Sequence, residues 1–327
     1  MNQHKLLELQ KLKIAVIGDV MLDRYIDGRV SRVSPEAPIP ILEKKGIKNV
    51  PGGAANVCRN LYDFGADFKM IGVVGENDKP YLELKQLFCG HEESLAYLVE
   101  CNDRPTSTKT RVVGNGQQIV RIDDENTSQI SGVHEQQVIK NIHMLRGEVD
   151  AVIVADYAKG VVTAQVVDAL KELASDGVIV AVDPHPNNRQ DWSGVTILKP
   201  NLKELRELAG VDITLVDGQD PLKNVELSNA LDILIERWHL GSLLVTLSEH
   251  GMVYVEPSGD RSWVPTQAAE VFDVSGAGDT AITFFTLALA AGWCGKDATQ
   301  FANRASGLVV CKLGTASVSF DELKRFY

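Results

Sequence analysis

Short apolar runs rich in Val, Ile and Ala alternate, over the second half of the chain, with longer stretches whose apolar residues recur every three or four positions. The runs 151–155, 178–182, 195–198 and 243–247 predict strands, and the stretches 133–146, 163–175, 202–209 and 224–238 predict helices. Strands without polar alternation are covered on both faces. This rhythm therefore predicts an α/β fold with a mostly parallel central sheet flanked by helices. The same signals extend the sheet toward the N-terminus, with a short helix over 2–11, a strand over Lys13–Gly18, a helix over 56–64 after Pro51-Gly52-Gly53, and a strand over 68–74. Two segments break the rhythm. Residues 23–50 alternate and carry Pro35, Pro38 and Pro40, and 105–123 alternate around Gly114-Asn115-Gly116, a hairpin-like turn. We expect these to pair as a small β-sheet lid on one domain spanning 1–327. Ligands of open parallel sheets bind beyond the carboxyl ends of the strands, so functional polar residues are expected just after strands.

Composition narrows the partners. Hydrophobic residues make up 44% of the chain, enough for a large core, and the net charge of −11 disfavours nucleic acid, whose phosphates need a basic surface. Phosphates can still be held where a few cations or backbone N–H groups converge. The five cysteines include no Cys-x-x-Cys pair, which points to a reducing compartment and away from zinc. The N-terminus MNQHKLLELQKLK lacks a signal-peptide core and no stretch has the length of a membrane span, so the expectation is a cytoplasmic protein with no membrane partner.

The segment carrying most chemistry is Asp273-Val274-Ser275-Gly276-Ala277-Gly278-Asp279, which opens an apolar helix. Its glycines let a ligand approach the backbone, the first-turn N–H groups point outward, and the helix dipole favours negative charge. Gly276, Ala277 and Gly278 thus form a candidate anion hole for a developing phosphoryl charge, with Asp279 beside it as the general base for an attacking hydroxyl. The plainer alternative is a turn with Asp279 as a helix cap.

This segment resembles the second signature of the ribokinase-like (PfkB-type) carbohydrate kinases, with Val274 where Thr is usual. Gly52-Gly53-Ala54-Ala55-Asn56 resembles the family's sugar-facing Gly-Gly signature. Asn201-Leu202-Lys203-Glu204 matches its Asn-x-x-Glu motif, and Thr246–Gly251 its nucleotide loop with Ser248 in place of the first Gly. The resemblance covers nearly the whole chain and implies a ribokinase-like fold, ATP and Mg2+ as cofactors, and an alcohol acceptor on a sugar. The segments 32–40, 104–111, 117–123 and 155–160 further resemble bacterial kinases of D-glycero-β-D-manno-heptose 7-phosphate, which phosphorylate the anomeric C1 hydroxyl in lipopolysaccharide core biosynthesis. In many bacteria that kinase is fused to an adenylyltransferase. With the chain ending at Tyr327, we expect a stand-alone kinase or the kinase half of such a fusion. The alternatives are a PfkB-type kinase for another sugar phosphate or a nucleoside, and a non-catalytic sugar or nucleotide sensor.

Under this reading Asp19, Asp23, Gly52, Gly53 and Asn56 are candidate sugar ligands, and Arg104, Lys109, Arg111, Asp156 and Lys159 candidates for the phosphorylated end, with Arg121 a further cation. For any single cation of 104–111, a solvated strand face is the competing explanation. Lys199, Asn201, Thr246, Ser248, Gly251, Gly278 and Asn303 are candidate ATP ligands, Lys199 alternatively pairing with Glu204. Glu204 is expected to hold Mg2+ through water, although Asn201 with Glu204 also reads as a capping box. As in relatives, Asp273 is a candidate for a monovalent cation, K+. The lid edges need cover, which a homodimer would supply.

Overall fold

The computed structural model describes residues 3–267, 271–312 and 314–326. Thirteen strands are assigned among them: β1 Lys13–Gly18, β2 Val20–Val33, β3 Pro40–Gly53, β4 Asp67–Gly75, β5 Leu98–Cys101, β6 Ser107–Gly114, β7 Gln117–Asp124, β8 Ala151–Ala155, β9 Ile179–Asp183, β10 Ile197–Leu198, β11 Ser242–Thr246, β12 Met252–Val255 and β13 Arg261–Val264. Nine form one sheet in the order β13-β12-β11-β10-β9-β8-β1-β4-β5. It is parallel from β11 through β5, and β12 and β13 close one edge antiparallel. Helices cover both faces and divide the core in two. One layer centres on Phe64, Phe284, Phe285 and Phe301, the other on Leu170, Trp192, Leu231 and Leu243. The expected ribokinase-like architecture is the one observed.

The helix Ala277–Ala290 is buried nearly all round, from Asp279 to Ala288. A helix apolar on every side belongs in an interior, and this one packs its aromatic residues against the sheet while its N-terminus reaches the strands' carboxyl edge. The expected strand at 195–198 contracts at its start to Ile197–Leu198.

The remaining four strands build the lid, in the order β3-β2-β6-β7. β2 and β6 run parallel in the middle, flanked by antiparallel partners. Asn115 (φ 52°) and Gly116 (φ 80°) are both left-handed, as a two-residue hairpin between strands of right-handed twist requires. β2 and β3 are longer than the sequence pattern implied, beginning with Val20 opposite Gly53. The Pro51-Gly52-Gly53 stretch, expected as a helix entry, is the end of β3, and the helix starts at Ala54.

Candidate active site

A cleft of about 600 Å³ lies at the carboxyl ends of the strands. Asp156, Lys199, Asn201, Glu204, Thr246, Ser248, Gly251, Asn303 and the whole turn Gly276–Asp279 line it. All of these were expected site residues, although they come from five separate stretches of chain.

Asp279 is the focus. Gly276, at φ 82°, turns the chain into the helix, and Asp279 follows within the first turn, only 6% exposed. Its carboxylate does not cap the helix. Oδ2 accepts from Asn56 Nδ2 at 2.6 Å and Oδ1 from the Tyr157 hydroxyl at 2.5 Å. Burial raises its pKa to about 6, the two donors holding it lower than burial alone would. A base in that position is ionised at neutral pH yet basic enough to accept a hydroxyl proton. A Cβ on Gly276 would stand 2.9 Å from Asn56 Nδ2 in a left-handed backbone. Gly276→Ala should therefore push Asn56 off the base, lowering kcat at least about tenfold and destabilising the fold by about 1–3 kcal/mol. Steady-state kinetics with thermal melts check both. Of the three expected anion-hole donors, Ala277 is already engaged, its N–H donating to the Val274 carbonyl at 3.2 Å.

Beside the base lies an ion pair with a more acidic setting than the sequence indicated. Lys199, 2% exposed, sets Nζ 2.9 Å from Asp183 Oδ1 rather than pairing with Glu204. Burial pulls its pKa down, but the charges of Asp183, Glu204 and Asp279 outweigh burial and hold it above the ordinary value. Asn201 and Glu204 form a complete capping box: the Asn201 side chain accepts from Glu204 N at 2.9 Å, and Glu204 Oε2 accepts from Asn201 N at 2.8 Å. Glu204 is pushed up to about 7, first by burial and then by Asp183. Two half-buried carboxylates that raise one another's charge cost in this way fit a hard divalent cation.

The nucleotide-loop candidates hold a tight turn. Ser248, at φ 54°, adopts the conformation that a Gly would take without strain, and a Cβ on Gly251 (φ 86°) would collide with Val264 O. Asn303 Nδ2 donates to Pro265 O at 2.8 Å, fastening the loop after β13 to its helix.

Several expected ligands lie outside this cleft or have other partners. Asp19, expected to meet the sugar, is instead a backbone anchor. Its oxygens accept from the N–H groups of Tyr157, Lys159 and Val161 and so organise the loop after β8. Gly53 (φ 55°) passes so close to Asp19 O that a Cβ would sit 2.4 Å away, and a Cβ on Gly52 would sit 2.9 Å from Asp23 Oδ2. Both glycines are explained by chain packing. Asn56, expected on the sugar, faces Asp279. Asp156 accepts from Ala158 N and Asn188 Nδ2; burial raises it to about 7.

The basic candidates are internally matched. Arg111 meets Asp23 at 2.6 Å; Lys109 meets Asp123 and Glu125, both at 3.2 Å; and Lys159 meets Glu125 at 2.5 Å. Arg104 donates to the Ser128 carbonyl and Arg121 pairs with Asp123. Asp273 Oδ1 accepts from Ser275 N and Oδ2 from Gly314 N, joining the anion turn to the end of the helix Gly295–Val310. Spacing did not foresee that Cys101, Asp103 and His134 bring ligand atoms within 4.8 Å of one another. Burial and the Asp103 charge push the Cys101 thiol up to about 11, so it stays protonated at neutral pH.

Tyr157 and Asp183 were not anticipated. Asp183 ends β9 and Tyr157 follows β8 closely, so the strand-end rule marked their places while their partners came from elsewhere in the chain.

Comparison with known proteins places this geometry. A family model described as pfkB family carbohydrate kinase matches residues 11–322. The chain is 39% identical over 318 residues to a protein of Klebsiella pneumoniae (strain 342) named Bifunctional protein HldE, covering 97% of this chain and 64% of that one. It is 41% identical over 320 residues to the protein of the same name from Azorhizobium caulinodans, covering 98% and 65%. It thus spans just under two thirds of these curated relatives. Among solved structures, Arabidopsis thaliana ribokinase complexed with ribose and ATP matches with a TM-score of 0.71 at 20% identity, over 96% of this chain and 98% of that one. Escherichia coli phosphofructokinase-2 in complex with potassium matches with a TM-score of 0.75 at 18% identity, over 96% and 97%. The protein belongs to the pfkB family of carbohydrate kinases.

Proposed function

We propose that this sugar kinase transfers the γ-phosphoryl group of ATP to the anomeric hydroxyl of D-glycero-β-D-manno-heptose 7-phosphate, giving the 1,7-bisphosphate and ADP. The observation that carries the chemistry is Asp279: a buried carboxylate with its pKa near 6, at a helix N-terminus that opens on the cleft. The C1 hydroxyl gives its proton to Asp279 as its oxygen forms the bond to the γ-phosphorus, and the bond from that phosphorus to the bridging oxygen of ADP breaks. The N–H groups of Gly278 and Asp279 and the Lys199 ammonium would face the charge that develops, the Ala277 N–H being held by Val274. Bound Mg2+ would offset charge on the phosphates, with Glu204 and Asp183 the carboxylates to hold it. Asp273, at the junction of the anion turn and the segment near Gly314, is the residue for K+. The lid would close over the sugar and exclude water.

The heptose reading rests on the lid and basic segments that resemble heptose 7-phosphate kinases, and on 39–41% identity to the HldE proteins over nearly the whole chain. One observation favours a second acceptor, a sugar without the remote phosphate: Lys109, Arg111 and Lys159 are already matched by Asp23, Asp123 and Glu125. Coupled-assay ATP consumption across a panel of sugars and sugar phosphates separates the two. We expect the highest kcat/KM with heptose 7-phosphate; an equal value with the unphosphorylated heptose rejects the phosphate subsite. The reaction belongs in the cytoplasm. A homodimer through the lids fits the exposed Ile47, Ile119 and Ile122. Among the described residues no helix is long and apolar enough to cross a membrane.

Because Asp279 must be ionised to act, lowering the pH through about 6 protonates it, and kcat/KM should fall tenfold per unit below that point and level off above pH 7. A profile with no acidic limb between pH 5 and 7 contradicts the assignment of the base.

A further inference from the structure

The loop after β8 is built to aim one side chain. Asp19, buried to 2% exposure, accepts from Tyr157 N at 2.8 Å, Lys159 N at 3.0 Å and Val161 N at 3.1 Å, so three of five consecutive residues hang on one carboxylate. Asp156 closes the turn from the other side through Ala158 N at 2.9 Å. Ala158 sits at φ 53° and Gly160 at φ 95°, a backbone course that ordinary residues avoid. The loop's only aromatic residue leaves this frame with its hydroxyl 2.5 Å from Asp279 Oδ1.

We propose that Tyr157 is a positioning residue for the phosphoryl-transfer base: its phenol fixes Oδ1 while Asn56 fixes Oδ2, and together they keep the carboxylate ionised and oriented toward the acceptor hydroxyl. The inference rests on Asp279 being the base. Tyr157 serves as donor only. Burial, and then the charge of Asp279, push its own pKa well above the ordinary value, so it does not compete for the substrate proton. Nor does it block the base, since each carboxylate oxygen has two acceptor directions and the donors seen here use one apiece. During the reaction the acceptor's proton moves to a free direction on Asp279, and the phenol O–H stays intact throughout. The charged and titratable groups around the base are Asp183, Lys199 and Glu204 from the sheet edge, with Asp19 and Asp156 behind the loop. Of the two neutral donors on Asp279, Tyr157 supplies the shorter bond.

Tyr157→Phe removes one hydroxyl and keeps the ring packed. A hydrogen bond to the charged form lowers a carboxyl pKa, so its loss should move the acidic limb of kcat/KM upward by about one unit. At pH 8.5 much of the deficit should disappear, with KM for ATP unchanged. A merely structural tyrosine predicts an unmoved limb and the same loss at every pH, and that result overturns the proposal. Tyr157→Phe in an Asp279→Asn background supplies the second arm. If Tyr157 acts through the carboxylate, the added change costs less than twofold there; an undiminished loss overturns the proposal. Full activity of Asp279→Asn alone would instead strike at the identity of the base, which separates that failure from this one.

Discussion

Asp279→Asn should lower kcat by roughly a hundredfold to ten-thousandfold while leaving ATP binding and thermal stability close to those of the parent. The amide fits the same space. Its Oδ1 can still accept from Asn56 Nδ2, and its Nδ2 can donate to the Tyr157 oxygen once that hydroxyl rotates, so both contacts of the native carboxylate have a neutral replacement. What the variant lacks is a site to receive the proton from the acceptor hydroxyl. The anion turn, Lys199 and the nucleotide loop keep their geometry, which is why the loss should fall on kcat. Rapid-quench or steady-state kinetics with calorimetric ATP titration checks the division. A variant with kcat within threefold of the parent would exclude Asp279 as the base.

Lys199→Met should have the largest effect on stability, about 3–5 kcal/mol at pH 8, because removing one partner of a buried pair leaves the other charge uncompensated. Asp183 loses its contact at 2.9 Å, and Glu204 and Asp279 lose the nearest cation. The sign of the pH dependence follows. Without the ammonium these carboxylates are raised further above their unfolded values, so the folded state binds more protons than the unfolded one, and the defect shrinks as pH falls from 8 to 6. Denaturant melts at the two pH values check this; a defect that grows on acidification contradicts the reading of Lys199 as the counter-charge of the acidic cluster.

The parallel sheet and its helices were legible because each strand is a buried β-branched run between helix signals, as at 151–155. The four-residue strands Leu98–Cys101 and Arg261–Val264 were not, since so few residues carry no periodicity. The anion turn was legible for a different reason: its glycines, aspartate and apolar helix are contiguous. The surroundings of the base were not, because Asn56 and Tyr157 lie 223 and 122 positions from Asp279. Asp19 illustrates the limit. A carboxylate after the first strand invites a ligand role, and only the path of the 157–161 loop reveals that backbone N–H groups consume its oxygens. The cations of the lid were visible as a cluster, but their matching acids, Asp23 and Glu125, depend on how two hairpins and the β8 loop meet.

The most direct test of the central claim is phosphorus NMR of the product formed from ATP and D-glycero-β-D-manno-heptose 7-phosphate. One new phosphomonoester resonance coupled to the anomeric proton, beside the unchanged 7-phosphate signal, is the predicted result. A new phosphate on any other carbon, or ADP accumulating with no new sugar phosphate, would contradict it.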